Sequence, residues 1–190
     1  PVRKPLVPQI QDSSKVRNPI DSFILQELEV RSLTPAPTAD RVTLIRRATM
    51  DALGLPPTWA EIQSFVQDPA QDDAAFRQLI ERLLSSAHFG ERAAQHWLDL
   101  VRFSESDGYN SDHFRPQAWR YRDYVVDAFN ADLPFDRFLI EQLAGDLLPI
   151  DQGDTAARRS RLIATGFLSL GPKVLAEVDE RKMEMDIVDE

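Results

Sequence analysis

Apolar positions recur along most of the chain at the three- and four-residue spacing of an amphipathic helix, and capping residues and breakers divide them into segments. Asn18-Pro19 opens the first segment, with Asn18 as cap and Pro19 at the first helical position. Ile20, Phe23, Ile24, Leu25 and Leu28 follow, to an end near Arg31. After the connector Thr34-Pro35-Ala36-Pro37, Asp40 caps a helix carrying Leu44, Ile45, Ala48 and Leu53, with Gly54 as its left-handed stop. Thr58 and Glu61 form a capping box ahead of Phe65 and Val66, and Asp68-Pro69 ends that helix. A longer helix from Asp72 or Asp73 lines up Phe76, Leu79, Ile80, Leu83 and Leu84 on one side.

Further helices are expected over about 91–103 and 117–129. Another opens at Pro134, carries Phe135, Phe138, Leu139 and Leu143, and stops at Gly145. The next runs from Asp154 or Thr155 through Leu162, Ile163 and Phe167 to Gly171-Pro172. No alternating strand pattern, internal repeat or coiled-coil heptad run stands beside these. The fold expected is all-α: one compact multi-helix domain over residues 18–172. A proline-marked extended arm (1–17) precedes it, and an acidic tail (173–190) with helical periodicity, leading into a further segment, follows it.

Composition narrows the functions open to such a domain. Hydrophobic residues are 43% and charged residues 28%, so a packed core rather than disorder is expected. A net charge of −9 argues against nucleic acid or an anionic membrane surface as partner, because no basic stripe is present to neutralise phosphates. No apolar run reaches the roughly 20 residues that span a bilayer. With no cysteine, the chain contains neither a thiol nucleophile nor a haem attachment motif, and a resident metal is not expected. Phosphate loops, G-x-S-x-G elbows and H-E-x-x-H motifs are also missing.

Candidate chemistry gathers between His96 and Arg122. On a helical wheel Leu100, Trp97, Val101, Ala94 and Leu98 fill one arc, and His96, Asp99 and Phe103 fall at its edge. A histidine three residues before an aspartate can be held in one tautomer, as a general base requires; the plainer reading is a boundary histidine satisfied by a carboxylate. On the next helix Trp119, Tyr121, Tyr124, Val125, Val126, Ala128 and Phe129 form an apolar arc that includes Arg122. Its charge needs a carboxylate, and Asp99 is the expected partner in a buried His96–Asp99–Arg122 network.

The intervening loop, residues 104–113, supports three readings. Glu105, Asp107 and Asp112 could coordinate a hard cation, although their spacing is not that of an EF-hand. Glu105 and Asp107 could form an acid–base pair, with Tyr109 and Trp119 stacking on a sugar. The commonest use of such a segment is Asp-Gly turn chemistry alone.

Several of these stretches resemble a known family. They include Asn18-Pro19-Ile20-Asp21-Ser22-Phe23-Ile24, Gly54-Leu55-Pro56-Pro57-Thr58, His96-Trp97-Leu98-Asp99-Leu100, Asp107-Gly108-Tyr109, Arg115-Pro116, Trp119-Arg120-Tyr121-Arg122-Asp123-Tyr124 and Glu141-Gln142-Leu143-Ala144-Gly145-Asp146. Together they resemble the planctomycete secreted cytochrome-associated domain of unknown function. The resemblance implies an uncharacterised helical domain of a larger exported polypeptide, which packs beside neighbouring domains of the same chain. It also implies a C-x-x-C-H segment after the stretch matching residues 177–190, so that haem c belongs to the full-length protein and not to these residues. A structural or docking role in electron transfer follows, with a redox partner and with His96 or His113 near the haem. A carbohydrate-binding or carbohydrate-processing role, with a glycan at residues 104–113, is the alternative.

Overall fold

The computed structural model describes residues 4–108, 112–149, 154–171, 181 and 185, and among these the regular elements are all helices. It divides into two compact units, Pro1–Asp40 and Arg41–Glu190. The expected boundary at residue 17 therefore falls inside the first unit. There the amide of Gln11 donates to the Glu29 carboxylate (3.0 Å) and ties the arm to α1 (Pro19–Val30). Asn18 caps α1 as its sequence requires, accepting from the Ile20 amide at 2.8 Å. The Asp21 carboxylate returns the contact by accepting from the amides of Arg17 and Asn18, which holds its pKa below the usual range.

In the second unit α2 (Arg41–Leu53), α3 (Trp59–Gln67) and α4 (Asp72–Leu84) enclose one core of Ile45, Phe65, Ala75, Leu79 and Leu83. Gly54 ends α2 at φ +74°, a conformation that costs glycine little. Arg41 closes this subdomain. Its guanidinium donates to the carbonyls of Phe65, Asp68 and Ala70 and to the Asp72 carboxylate, all between 2.7 and 2.9 Å. The α4 stripe is narrower than its periodicity implied. Ala75, Leu79 and Leu83 are buried, whereas Leu84 is exposed.

The capping box at Thr58 and Glu61 is formed, and Arg82 adds an ion pair to Glu61 at 2.7 Å. The Arg82 hydrogen bond, followed by those from Thr58, lowers the Glu61 pKa from 4.5 to about 2. Because the folded pKa is the lower one, this contribution is complete above pH 4.5 and disappears as pH falls towards 2. Glu61 is one-third exposed, and solvent screening limits the contribution to about 1–2 kcal/mol. Glu61→Gln should accordingly flatten the acid limb of a stability–pH curve measured by urea unfolding. An unchanged slope would show that the box and ion pair contribute nothing.

The second core lies among α5 (Ala87–Leu100), α6 (Trp119–Asn130), α7 (Phe135–Ala144) and α8 (Thr155–Ala164), and α5 packs on both α2 and α6. Helix α5 begins four residues before the expected Glu91, because Ser86 caps it by accepting from the His88 amide. It also ends earlier, at Leu100, and Arg102 turns the chain at φ +56°. Short 3-10 turns at Gly145–Leu147 and Thr165–Ser169 tighten the exits of α7 and α8. Leu100 is 73% exposed, and Phe135 and Leu143 are exposed as well. A wheel shows which side chains share a face; which part of that face is covered depends on the helices that cross it. Of the expected acidic tail only Arg181 and Met185 are described, both in helical conformation; the rest lies outside the described residues.

Candidate functional site

The segment joining α5 to α6 folds back on itself. Ser106 and Phe114 make an isolated antiparallel bridge, the Asp107 amide donates to the His113 carbonyl (2.9 Å), and the Arg115 amide donates to the Glu105 carbonyl (2.7 Å). Gly108 takes φ +75° at the turn, as Asp-Gly chemistry implied, and its amide donates to the Asp112 carboxylate at 2.8 Å. The Ser106 hydroxyl and then this amide hold the Asp112 carboxyl below its ordinary pKa. One bridge is too short to leave an alternating sequence pattern, so the segment reads as a loop.

The hairpin places Arg115 beside Asp107, with Nε 2.6 Å from the carboxylate and both side chains largely buried. The two remaining guanidinium nitrogens donate to the carbonyls of Leu170 (3.2 Å) and Gly171 (2.8 Å). Arg115 thus fastens the hairpin to the exit of α8. Its pairing could have been read from its position eight residues beyond Asp107, across an Asp-Gly turn.

Arg122 does not reach Asp99. It donates to Glu105 through Nη1 at 3.0 Å and to Asp123 through Nε and Nη2 at 3.1 and 3.0 Å, and it is 43% exposed. Asp99 and His96 are exposed, and no hydrogen bond joins them to each other among the described residues. The expected buried His96–Asp99–Arg122 network is therefore absent. Arg122 lies near the open end of α6, where Glu105 and its sequence neighbour Asp123 are the closer carboxylates.

The two carboxylates of the acid–base reading of residues 104–113 each face an arginine. Asp107 is held in its ion pair and Glu105 faces Arg122. Trp119 is exposed, and the Arg120 guanidinium sits 5.0 Å over one face of its ring. Tyr109 lies outside the described residues. His113 is exposed and enters the hairpin through its backbone carbonyl. Among the described residues no three histidines or carboxylates converge as a metal site, and no helix is long and apolar enough to cross a membrane.

The model of the family PSCyt2, described as a protein of unknown function (DUF1549), matches residues 19–190. The chain belongs to the PSCyt2 family. No curated protein and no solved structure matches it.

Within the PSCyt2 match lies a buried polar network that the wheels did not single out. The Trp97 indole N–H donates to the Tyr121 hydroxyl (3.0 Å) and to Gln142 Oε1 (3.2 Å), and the Tyr121 hydroxyl donates to that same oxygen. Gln142 Nε2 donates to the Phe138 carbonyl at 3.3 Å. Beside it the Tyr124 hydroxyl donates to Glu141 (3.1 Å), whose other oxygen faces Arg161 at 3.5 Å. Burial, opposed by the Trp97 hydrogen bond, pushes the Tyr121 pKa up to about 12; burial and then the Glu141 charge push that of Tyr124 up as well. The signal was available: Gln142 is four residues beyond Phe138 and shares its core-facing side of α7. This network in the PSCyt2 domain joins α5, α6 and α7 by hydrogen bonds that fix how the three helices pack.

Proposed function

We propose that this PSCyt2 domain is a non-catalytic helical support within a larger exported polypeptide, docked beside a segment that carries a c-type haem. One observation favours it above the others. The charged side chains between Glu105 and Asp123 that looked most like catalytic groups are committed to one another, Asp107 to Arg115 and both Glu105 and Asp123 to Arg122. Groups held in this way set the hairpin and α6 in place rather than wait for a substrate. The family name carries the association with cytochromes. The residues present do not fit covalent haem, since the chain has no cysteine to form a thioether, so attachment belongs to another segment. His96 and His113, both exposed, are the side chains this reading turns towards that neighbour.

The test is spectroscopic. The natural full-length polypeptide, purified from the exported fraction, should show the visible bands of a c-type haem that stays with the chain after denaturation and acid–acetone extraction. A colourless polypeptide, or one retained in the cytoplasm, overturns the proposal.

A further inference from the structure

A groove of 770 Å³ runs along the surface between α5 and α6, and the role proposed above does not use it. Leu98, Phe103 and Val126 form its apolar floor; all three are partly buried against the second core yet still reach the groove. Each wall repeats one pattern, an apolar residue followed by a carboxylate. On α5 the pair is Leu98 and Asp99, and on α6 it is Val126 and Asp127. Asp99 and Asp127 are exposed, and their carboxylates have no hydrogen bond or ion pair among the described residues. Among the described residues that line the groove Arg122 is the one cation, and it is already engaged by Glu105 and Asp123. The result is an apolar strip between two walls of uncompensated negative charge, on a chain of net charge −9.

We infer that this groove docks a basic, amphipathic segment of a partner protein, in which an apolar side chain is flanked by lysine or arginine. The apolar side chain enters between Leu98 and Val126 and removes them from water. The flanking cations meet Asp99 on one wall and Asp127 on the other, which sets the register and speeds encounter at low salt. An acidic or purely apolar segment gains only half of these contacts. A polycation without apolar residues leaves the floor wet. The inference stands whether or not a haem lies beside the domain, so the spectroscopic test and the one below can fail separately.

The probe is a fluorescein-labelled peptide that alternates lysine with leucine and phenylalanine, followed by anisotropy at low ionic strength against the whole chain. A second peptide keeps the lysines and replaces the apolar residues with serine. Saturable binding of the first peptide is expected, weakened about tenfold by Asp99→Asn combined with Asp127→Asn. The same charge change elsewhere, Asp51→Asn combined with Asp136→Asn, should leave binding within about twofold. The Asp99 and Asp127 changes touch exposed, unpartnered side chains, so thermal melts of that variant should match the parent. Three outcomes overturn the inference: no saturable binding, equal loss from both double variants, or equal binding of the serine peptide.

Discussion

Arg115→Met should lower the unfolding free energy by about 3–5 kcal/mol, because it leaves the buried Asp107 carboxylate without its cation. It also strips the Leu170 and Gly171 carbonyls of their donors, so the end of α8 should loosen together with the hairpin. Urea unfolding gives the magnitude, and hydrogen exchange at Leu170 shows where the loss is felt. Replacing both partners, Asp107→Leu with Arg115→Met, should recover part of the stability, since an apolar pair carries no desolvated charge. A loss below about 1 kcal/mol for Arg115→Met would mean that the pair is screened by water and that the hairpin is held by something else. The same variant bears on function. If it removed a biological activity of the full polypeptide while stability held, the support role proposed above would fail.

Gly90→Ala should be destabilising by about 3 kcal/mol, opposite in sign to the usual effect of alanine inside a helix. A methyl group at Gly90 would stand 2.5 Å from the Val126 carbonyl oxygen and from Asn130 Cγ, so α5 and α6 would have to separate. Separation breaks a closed pair of contacts: the Gly90 amide donates to Asn130 Oδ1 (2.8 Å), and Asn130 Nδ2 donates to the Ala87 carbonyl (3.0 Å). Thermal melts of Gly90→Ala and Asn130→Ala test this reading. Asn130→Ala should cost less, because it removes the hydrogen bonds without forcing the helices apart. A neutral or stabilising Gly90→Ala would show that the helices do not approach so closely.

Gly90 also shows where sequence reading stops. The residues that follow it are legible as a helix from spacing alone. Nothing local distinguishes a glycine that begins a helix from one that admits a second helix forty residues away. The start of α5 is hidden for a related reason: Ser85 and Ser86 stand side by side before it, and the cap is the one that the packed helix uses. Arg122 is a cation on an apolar face and needs carboxylates, which its helix pattern alone shows. Its partner is not legible there, because a helical wheel carries no trace of the hairpin that brings Glu105 to it and leaves Asp99 on the groove wall.

Helical class, most breaks and several caps were written locally, in spacing and in residues such as Asn18-Pro19, Thr58 and Gly54, because backbone conformation and first-turn hydrogen bonds depend on near neighbours. The absence of cysteine likewise needs no structure to exclude a thioether to haem from these residues. Tertiary structure alone decided the partners of Arg41, Arg115 and Arg122, the burial of Gln142 among tyrosines, and the exposure of Leu100. Those outcomes depend on which distant carbonyl, carboxylate or ring arrives within about 3–4 Å, and residue spacing along one helix carries no record of that distance.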